Sequence, residues 1–466
     1  MVNWQAKAQE QQEEYINDLI TMMKIPSVRD DAQATDEFPL GPEPATALKV
    51  FLEMAQQDGF KVKNIDNVVG YAQWGEGDET LAILAHVDVM PAGNGWDTDP
   101  FNPVIKDGNI YGRGASDDKG PGMAAYYAMK TLKDMGVVPN KTVRFIVGTD
   151  EESNWTGMKR YFEVEPAPTY GFSPDASFPL INGEKGNFSL KVDFKGANDG
   201  RVKLVSFDSG LRPNMVPRDA EAVIEGGELT QLTQALDEYL AQTSVTGKVI
   251  QDGEQFTISF VGKAAHGMEP KNGDNAGTYL ANFLKHQDIH GDAGDFLEFV
   301  GSYLHVDSRL KNFELDYTDE LMGELTMNVG LMNFKAEDGG QIDLNFRYPQ
   351  GITPNDIQVG INKVTDKLHA FTYQLEGMVP HYVSTDDPLV VSLMASYREI
   401  TGDVDALPEV VGGGTYGRMM ERGVAFGALF PHTPDTMHQV NEFQPVDDLI
   451  TAMAIYMDGI NRLITD

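Results

Sequence analysis

Residues 112–120, GRGASDDKG, set Asp117 beside Asp118. Two adjacent carboxylates repel, and a cation held against them relieves the repulsion. Taken alone the pair reads as a solvated turn or as the cap of a following helix. Other stretches change the weighting: His86 and Asp88 in AHVDVM, Glu151 and Glu152 in GTDEESNW, Asp175 in SPDASFP and His438 in MHQVNEF. Each has an ordinary reading of its own, as a core histidine, an acidic turn or a turn after proline. As a set they are imidazoles and carboxylates collected where strands run out, and burying them unpaired costs several kcal/mol each. A pair of divalent cations would neutralise them, with one carboxylate bridging the two. Such a centre polarises a carbonyl and acidifies water, which is what splitting an amide requires.

The elements that must position these groups follow from periodicity. TLAILAHVDVM (80–90) is a nearly continuous apolar run, as expected of a strand buried on both faces. KTVRFIVGT (141–149) is another, and between them GPGMAAYYAMKTLKDMG (120–136) reads as a helix closed by Gly136. Residues 4–24, 44–58 and about 446–464 also read as helices. This strand–helix–strand rhythm predicts an α/β catalytic domain with a mainly parallel mixed sheet flanked by helices. Ligands of such sheets bind beyond the carboxyl ends of the strands. After residues 179–196 the texture changes: FTISFVG (256–262) and QIDLNFRYP (341–349) alternate apolar and polar residues, as half-exposed strands do. The expected division is residues 1–181 with 380–466 as the catalytic domain and 182–379 as an inserted α+β lid.

Composition narrows the function. The chain has 466 residues, 41% of them hydrophobic, with 71 acidic against 36 basic side chains and a net charge of −35. That field repels phosphate backbones and anionic bilayers, so neither nucleic acid nor membrane is an expected partner. No cysteine is present, which excludes thiolate ligands and disulfides. The first fourteen residues are polar, and no run of about 18 apolar residues occurs, so the cytoplasm is the expected compartment.

The stretches HVDVMPAG, YGRGASDDKGP, GTDEESNW, SPDASFP, AAHGMEP, RYPQG, GGGTYGR and MHQVNEF, in this order, resemble the co-catalytic dinuclear zinc peptidases. That group includes aminoacylase, carboxypeptidase G and succinyl-diaminopimelate desuccinylase, and within it the chain is most similar to PepV-type dipeptidases. Met90 in place of valine and GASDDKG in place of GSADDKG are minor departures. The resemblance implies that His86 and Asp175 hold one metal, that Glu152 and His438 hold the other, and that Asp117 bridges them. It gives Asp88 the task of bonding the other ring nitrogen of His86, and Glu151 that of general base. Asp118 is left as a helix cap at most. From the inserted domain His266 is implied to stabilise the oxyanion, and Asn214 and Arg347 to hold the substrate carboxylate. Gly414, in GGGTYGR, would offer a backbone N–H to the same carboxylate.

The implied activity is hydrolysis of dipeptides with a free N-terminus and a free C-terminal carboxylate, by a monomer acting on small peptides. Two divalent ions per chain are expected, Zn²⁺ first and Mn²⁺ or Co²⁺ as replacements. The competing readings are an N-acyl amino acid deacylase or desuccinylase of the same chemistry, and a non-catalytic metal- or peptide-binding relative.

Overall fold

The strand Thr80–His86 is buried along all but its first residue, because both of its faces are covered. Leu81, Ile83 and Ala85 enter one core and Ala82 and Leu84 another, the period-2 alternation of a strand between two layers. In the computed structural model, which describes residues 2–465, this strand runs parallel to Thr142–Gly148 and Tyr170–Ser173. Tyr170–Ser173 runs parallel in turn to Gly423–Ala425. Antiparallel Val69–Trp74 and Lys61–Ile65 extend the sheet beyond Thr142–Gly148, so it is mixed, with a parallel centre.

The larger core takes residues from helices Trp4–Met23, Lys119–Asp134, Pro388–Thr401 and Val446–Thr465. Lys119–Asp134 is buried from Lys119 through Leu132 and packs against Val446–Thr465. Gly136 lies just past its end at φ 78°, the left-handed conformation glycine adopts without a Cβ penalty.

These elements form one compact unit, Met1–Gly183 with Tyr382–Glu409 and Gly414–Asp466. The second unit is Glu184–His381 with Val410–Gly413. The sequence predicts the first unit over 1–181 and 380–466; it ends at 183, resumes at 382 and leaves 410–413 to the second unit.

The second unit is built on an eight-stranded antiparallel sheet. Its core includes helices Leu229–Leu240, Ala276–Leu284, Asp292–Glu298 and Pro354–Thr365. Gln255–Val261 alternates buried and exposed residues as its sequence predicts. Gly339–Tyr348 does not, because it lies between two long partners, and its polar residues Asp343 and Arg347 are buried as well. Lys191, directly across the strand pair, meets the Asp343 carboxylate at 2.9 Å.

Candidate metal centre

The parallel strands deliver their carboxyl ends to one place. His86 is the last residue of its strand, opposite Gly148. Glu151 and Glu152 follow Gly148 closely, and Asp175 lies two residues past Tyr170–Ser173. Asp117 lies just ahead of helix Lys119–Asp134. His438 comes from a late loop, with a left-handed backbone at φ 62°, a region where histidine is enriched among non-glycine residues.

Two groups of donor atoms result, His86 with Glu151 and Asp175, and Asp117 with Glu152 and His438, each with its ligand atoms within 4.8 Å of one another. Asp117 joins them. Its Oδ1 is 3.0 Å from His86 Nε2 and its Oδ2 is 2.8 Å from His438 Nε2. Glu152 Oε1 lies 2.9 Å from His438 Nε2, and Asp175 Oδ2 lies 3.6 Å from His86 Nε2.

The chemistry of this donor set fits divalent cations. His86 Nδ1 is 3.0 Å from the backbone carbonyl of Asp88, which can only accept, so the ring carries a proton on Nδ1. A neutral His86 therefore aims its Nε2 lone pair at the Asp117 and Asp175 carboxylates. Something positive must lie between them, a proton or a metal ion. Without ions the strain falls on the carboxylates: burial, then the charge of Asp175, pushes Glu151 well up, and burial with Asp117 raises Asp175. Burial and Asp117 push Glu152 up to about 7. His438 rises to about 11 through its hydrogen bonds to Asp117 and Glu152. Burial opposes a charge on Asp117, but the hydrogen bonds from His438 and His86 outweigh it and hold that carboxyl far below the usual range.

Two carboxylates build the frame around these donors. The Asp88 carboxylate accepts the backbone N–H of Glu151 and of Glu152, each at 3.2 Å. Its Oδ1 is 3.3 Å from His86 Nδ1, farther than the residue's own carbonyl, so the expected bond to the ring is made first by the backbone. Glu442, wholly buried, accepts the backbone N–H groups of Gly114, Ser116 and Asp117 on Oε1. Its Oε2 takes Arg113 Nη1 at 2.7 Å. Asp118 holds the N-cap position of its helix but caps nothing with its side chain; its Oδ2 accepts the His86 backbone N–H at 3.1 Å. The peptide between Asp117 and Asp118 is cis.

Residues 82–462 match the sequence model of Peptidase family M20/M25/M40. The chain belongs to that family. Among its relatives, a Staphylococcus haemolyticus protein named "Putative dipeptidase" is 41% identical over 471 residues, spanning 99% of this chain and 100% of the relative. One of the same name from Staphylococcus saprophyticus is 40% identical with the same coverage. Human carnosine dipeptidase 1 has the same fold, with a TM-score of 0.58 at 16% identity and full coverage of both chains. Dug1p, the di-peptidase of Saccharomyces cerevisiae, gives 0.58 at 14% identity, covering 99% of this chain and 98% of its own.

In this M20 peptidase the other residues singled out by sequence divide between the units. Gly414 belongs to the first, directly before Thr415, whose hydroxyl accepts the Gly417 N–H. Asn214, His266 and Arg347 belong to the second. Asn214 and His266 are exposed on facing segments, where Met215 pairs with His266, and Arg347 is buried in strand Gly339–Tyr348. The His266 ring accepts the Met268 N–H on Nδ1 at 3.1 Å, so the neutral ring carries its proton on Nε2. Sequence reasoning missed Glu442 and the amide-holding task of Asp88. The available signal for Glu442 was slight, an acid four residues after His438 in the same short stretch.

Proposed function

We propose that this peptidase hydrolyses free dipeptides at a centre of two divalent ions, with His86, Asp117 and Asp175 around one and Asp117, Glu152 and His438 around the other. The observation that supports it most is the placement of Asp117, with one carboxylate oxygen toward each histidine. Ions bound there supply positive charge that polarises the scissile carbonyl and acidifies water. Zn²⁺ suits one imidazole per site, and the remaining oxygen donors admit Mn²⁺ or Co²⁺.

Glu151 serves as general base: its carboxylate takes a proton from the attacking water and returns it to the leaving amine nitrogen. Its carboxylate lies among the donor atoms of His86 and Asp175, within reach of a water held there. His266, with a proton on Nε2, donates to the developing oxyanion. Arg347 and Asn214 take the C-terminal carboxylate of the substrate, with the Gly414 amide as a further donor. The working form is a monomer in the cytoplasm, with a small peptide as its only partner.

The test compares an Ala-Ala-type dipeptide with its C-terminally amidated, N-acetylated and four-residue counterparts. Free dipeptides should be cleaved best, and Arg347→Ala should cost them roughly 2–4 kcal/mol in kcat/KM, as for a lost buried charge partner. Equal cleavage of acetylated substrates would replace this reading with that of an acylase.

A further inference from the structure

Asn214, His266 and Arg347 lie far apart in sequence, and one strand end of the second unit ties them together. Asn328, in strand Thr326–Lys335, is 1% exposed. Its Nδ2 donates to the carbonyls of Pro213 at 2.7 Å and Met215 at 2.8 Å, the two residues flanking Asn214. The Asn214 carbonyl itself accepts the Gly267 N–H at 2.7 Å, and the Val216 N–H donates to Ala265 at 2.9 Å. The Asn214 backbone is therefore fixed on both sides, against the strand below and against the segment carrying His266.

Two residues earlier, on the same face of the strand, Thr326 Oγ1 donates to the Met268 carbonyl at 3.2 Å. Met268 in turn donates its N–H to the His266 ring. Across the strand pair, the residue directly opposite Thr326 is Arg347. Gly412 closes the arrangement, since a Cβ there would stand 3.0 Å from Met268 Cβ and 3.4 Å from Arg347 Cγ.

An asparagine is required at 328. Its amide nitrogen brings two hydrogens to two carbonyls without burying a charge, whereas an aspartate would set oxygen against oxygen. Its Oδ1 is buried with no hydrogen-bond partner among the described residues, so the fold bears an unsatisfied acceptor to keep those two donors in place.

We infer that Thr326 and Asn328 are positioning residues that hold Asn214, the His266 ring and Arg347 in one fixed register. The inference rests on the substrate-binding tasks proposed above for those three side chains. It adds that Asn328 acts through Asn214 on recognition of the carboxylate, whereas Thr326, two residues earlier, acts through Met268 on the His266 ring. Gly267 belongs to the same device, because a Cβ there would meet the Asn214 carbonyl at 2.8 Å and Asn328 Nδ2 at 3.0 Å.

The experiment is a double-mutant cycle on the metal-loaded full chain, with kcat and KM measured for a free dipeptide and for its amide. Asn328→Ala should lower kcat/KM for the free dipeptide by about 10²-fold, the scale of a small misplacement of a binding group, with a much smaller change for the amide. In an Asn214→Ala background the same substitution should add less than about threefold, because both act through one contact. Gly267→Ala should repeat the pattern and carries the test if Asn328→Ala does not fold. Effects that multiply in full, or that fall equally on free and amidated substrates, would make Asn328 a general structural residue and overturn the inference. An Asn214→Ala enzyme that treats the free dipeptide as the wild type does would instead refute the task proposed for Asn214, and the inference would fall with it.

Discussion

The backbone N–H of Asp117 donates to the Glu442 carboxylate at 3.2 Å, across 325 residues of sequence. Through that bond the chain segment that carries His438 also fixes the backbone of the residue placed between the two histidines. Glu442→Gln keeps one oxygen for the three amides but turns an N–H toward Arg113, itself 2% exposed. Breaking a buried pair of this kind costs about 3–5 kcal/mol. The variant should therefore melt earlier and bind divalent ions more weakly than the wild type. Calorimetric titration with Zn²⁺ checks the second part, and an unchanged affinity would confine Glu442 to stability.

The neighbours Glu151 and Glu152 should separate. Glu151→Gln should keep both ions while kcat falls by at least about 10²-fold, because a proton carrier is lost and not a ligand. Glu152→Gln should lose an ion as well. Elemental analysis of the two variants decides it: because Glu151 also lies among the donors with His86 and Asp175, a Glu151→Gln protein short of one metal would make it a ligand.

Asp88→Asn should disturb both glutamates together. It replaces one of two oxygens that accept the Glu151 and Glu152 amides with a group that donates. Activity and ion affinity should each fall about 10- to 100-fold, the usual effect of losing a group that orients ligands. Steady-state kinetics beside ion titration would show whether the two losses run in parallel.

The second unit carries an acid-labile histidine. Burial, helped by Lys285, lowers His305 to about 4. Below its ordinary value near 6.5 the unfolded chain takes up a proton that the folded chain refuses, so stability rises with pH between about 4 and 6.5. The contribution is complete above about 6.5 and amounts to roughly 3–3.5 kcal/mol. His305→Asn should flatten the dependence of Tm on pH across that window, and curves of unchanged slope would contradict it.

What could be read in advance was whatever local pattern dictates. The strand at 80–86 announced itself through a nearly unbroken apolar run, since a segment covered on both faces has no polar side to show, and the helix at 119–134 through its position between two such strands and the glycine that closes it. The donors at their ends followed from that placement. Gly339–Tyr348 misled because Asp343 and Arg347 look like a solvent face and are instead buried in the middle of a sheet. Glu442 and the carboxylate of Asp88 left almost no trace because they serve backbone N–H groups. Any residue type supplies such a partner, so no complementary side chain marks the pairing. Asp118 read as a cap because caps are local, whereas its bond to the His86 amide spans 32 residues.

The central claim, that two ions held around Asp117 carry out the hydrolysis, is tested most directly by adding Zn²⁺ stepwise to metal-free protein and following cleavage of a free dipeptide. Activity should rise until two equivalents per chain are bound and then level off, and Asp117→Ala should bind neither ion tightly and stay inactive. Full activity at one equivalent or at none, or an Asp117→Ala protein that still binds two ions and turns over, would contradict the account.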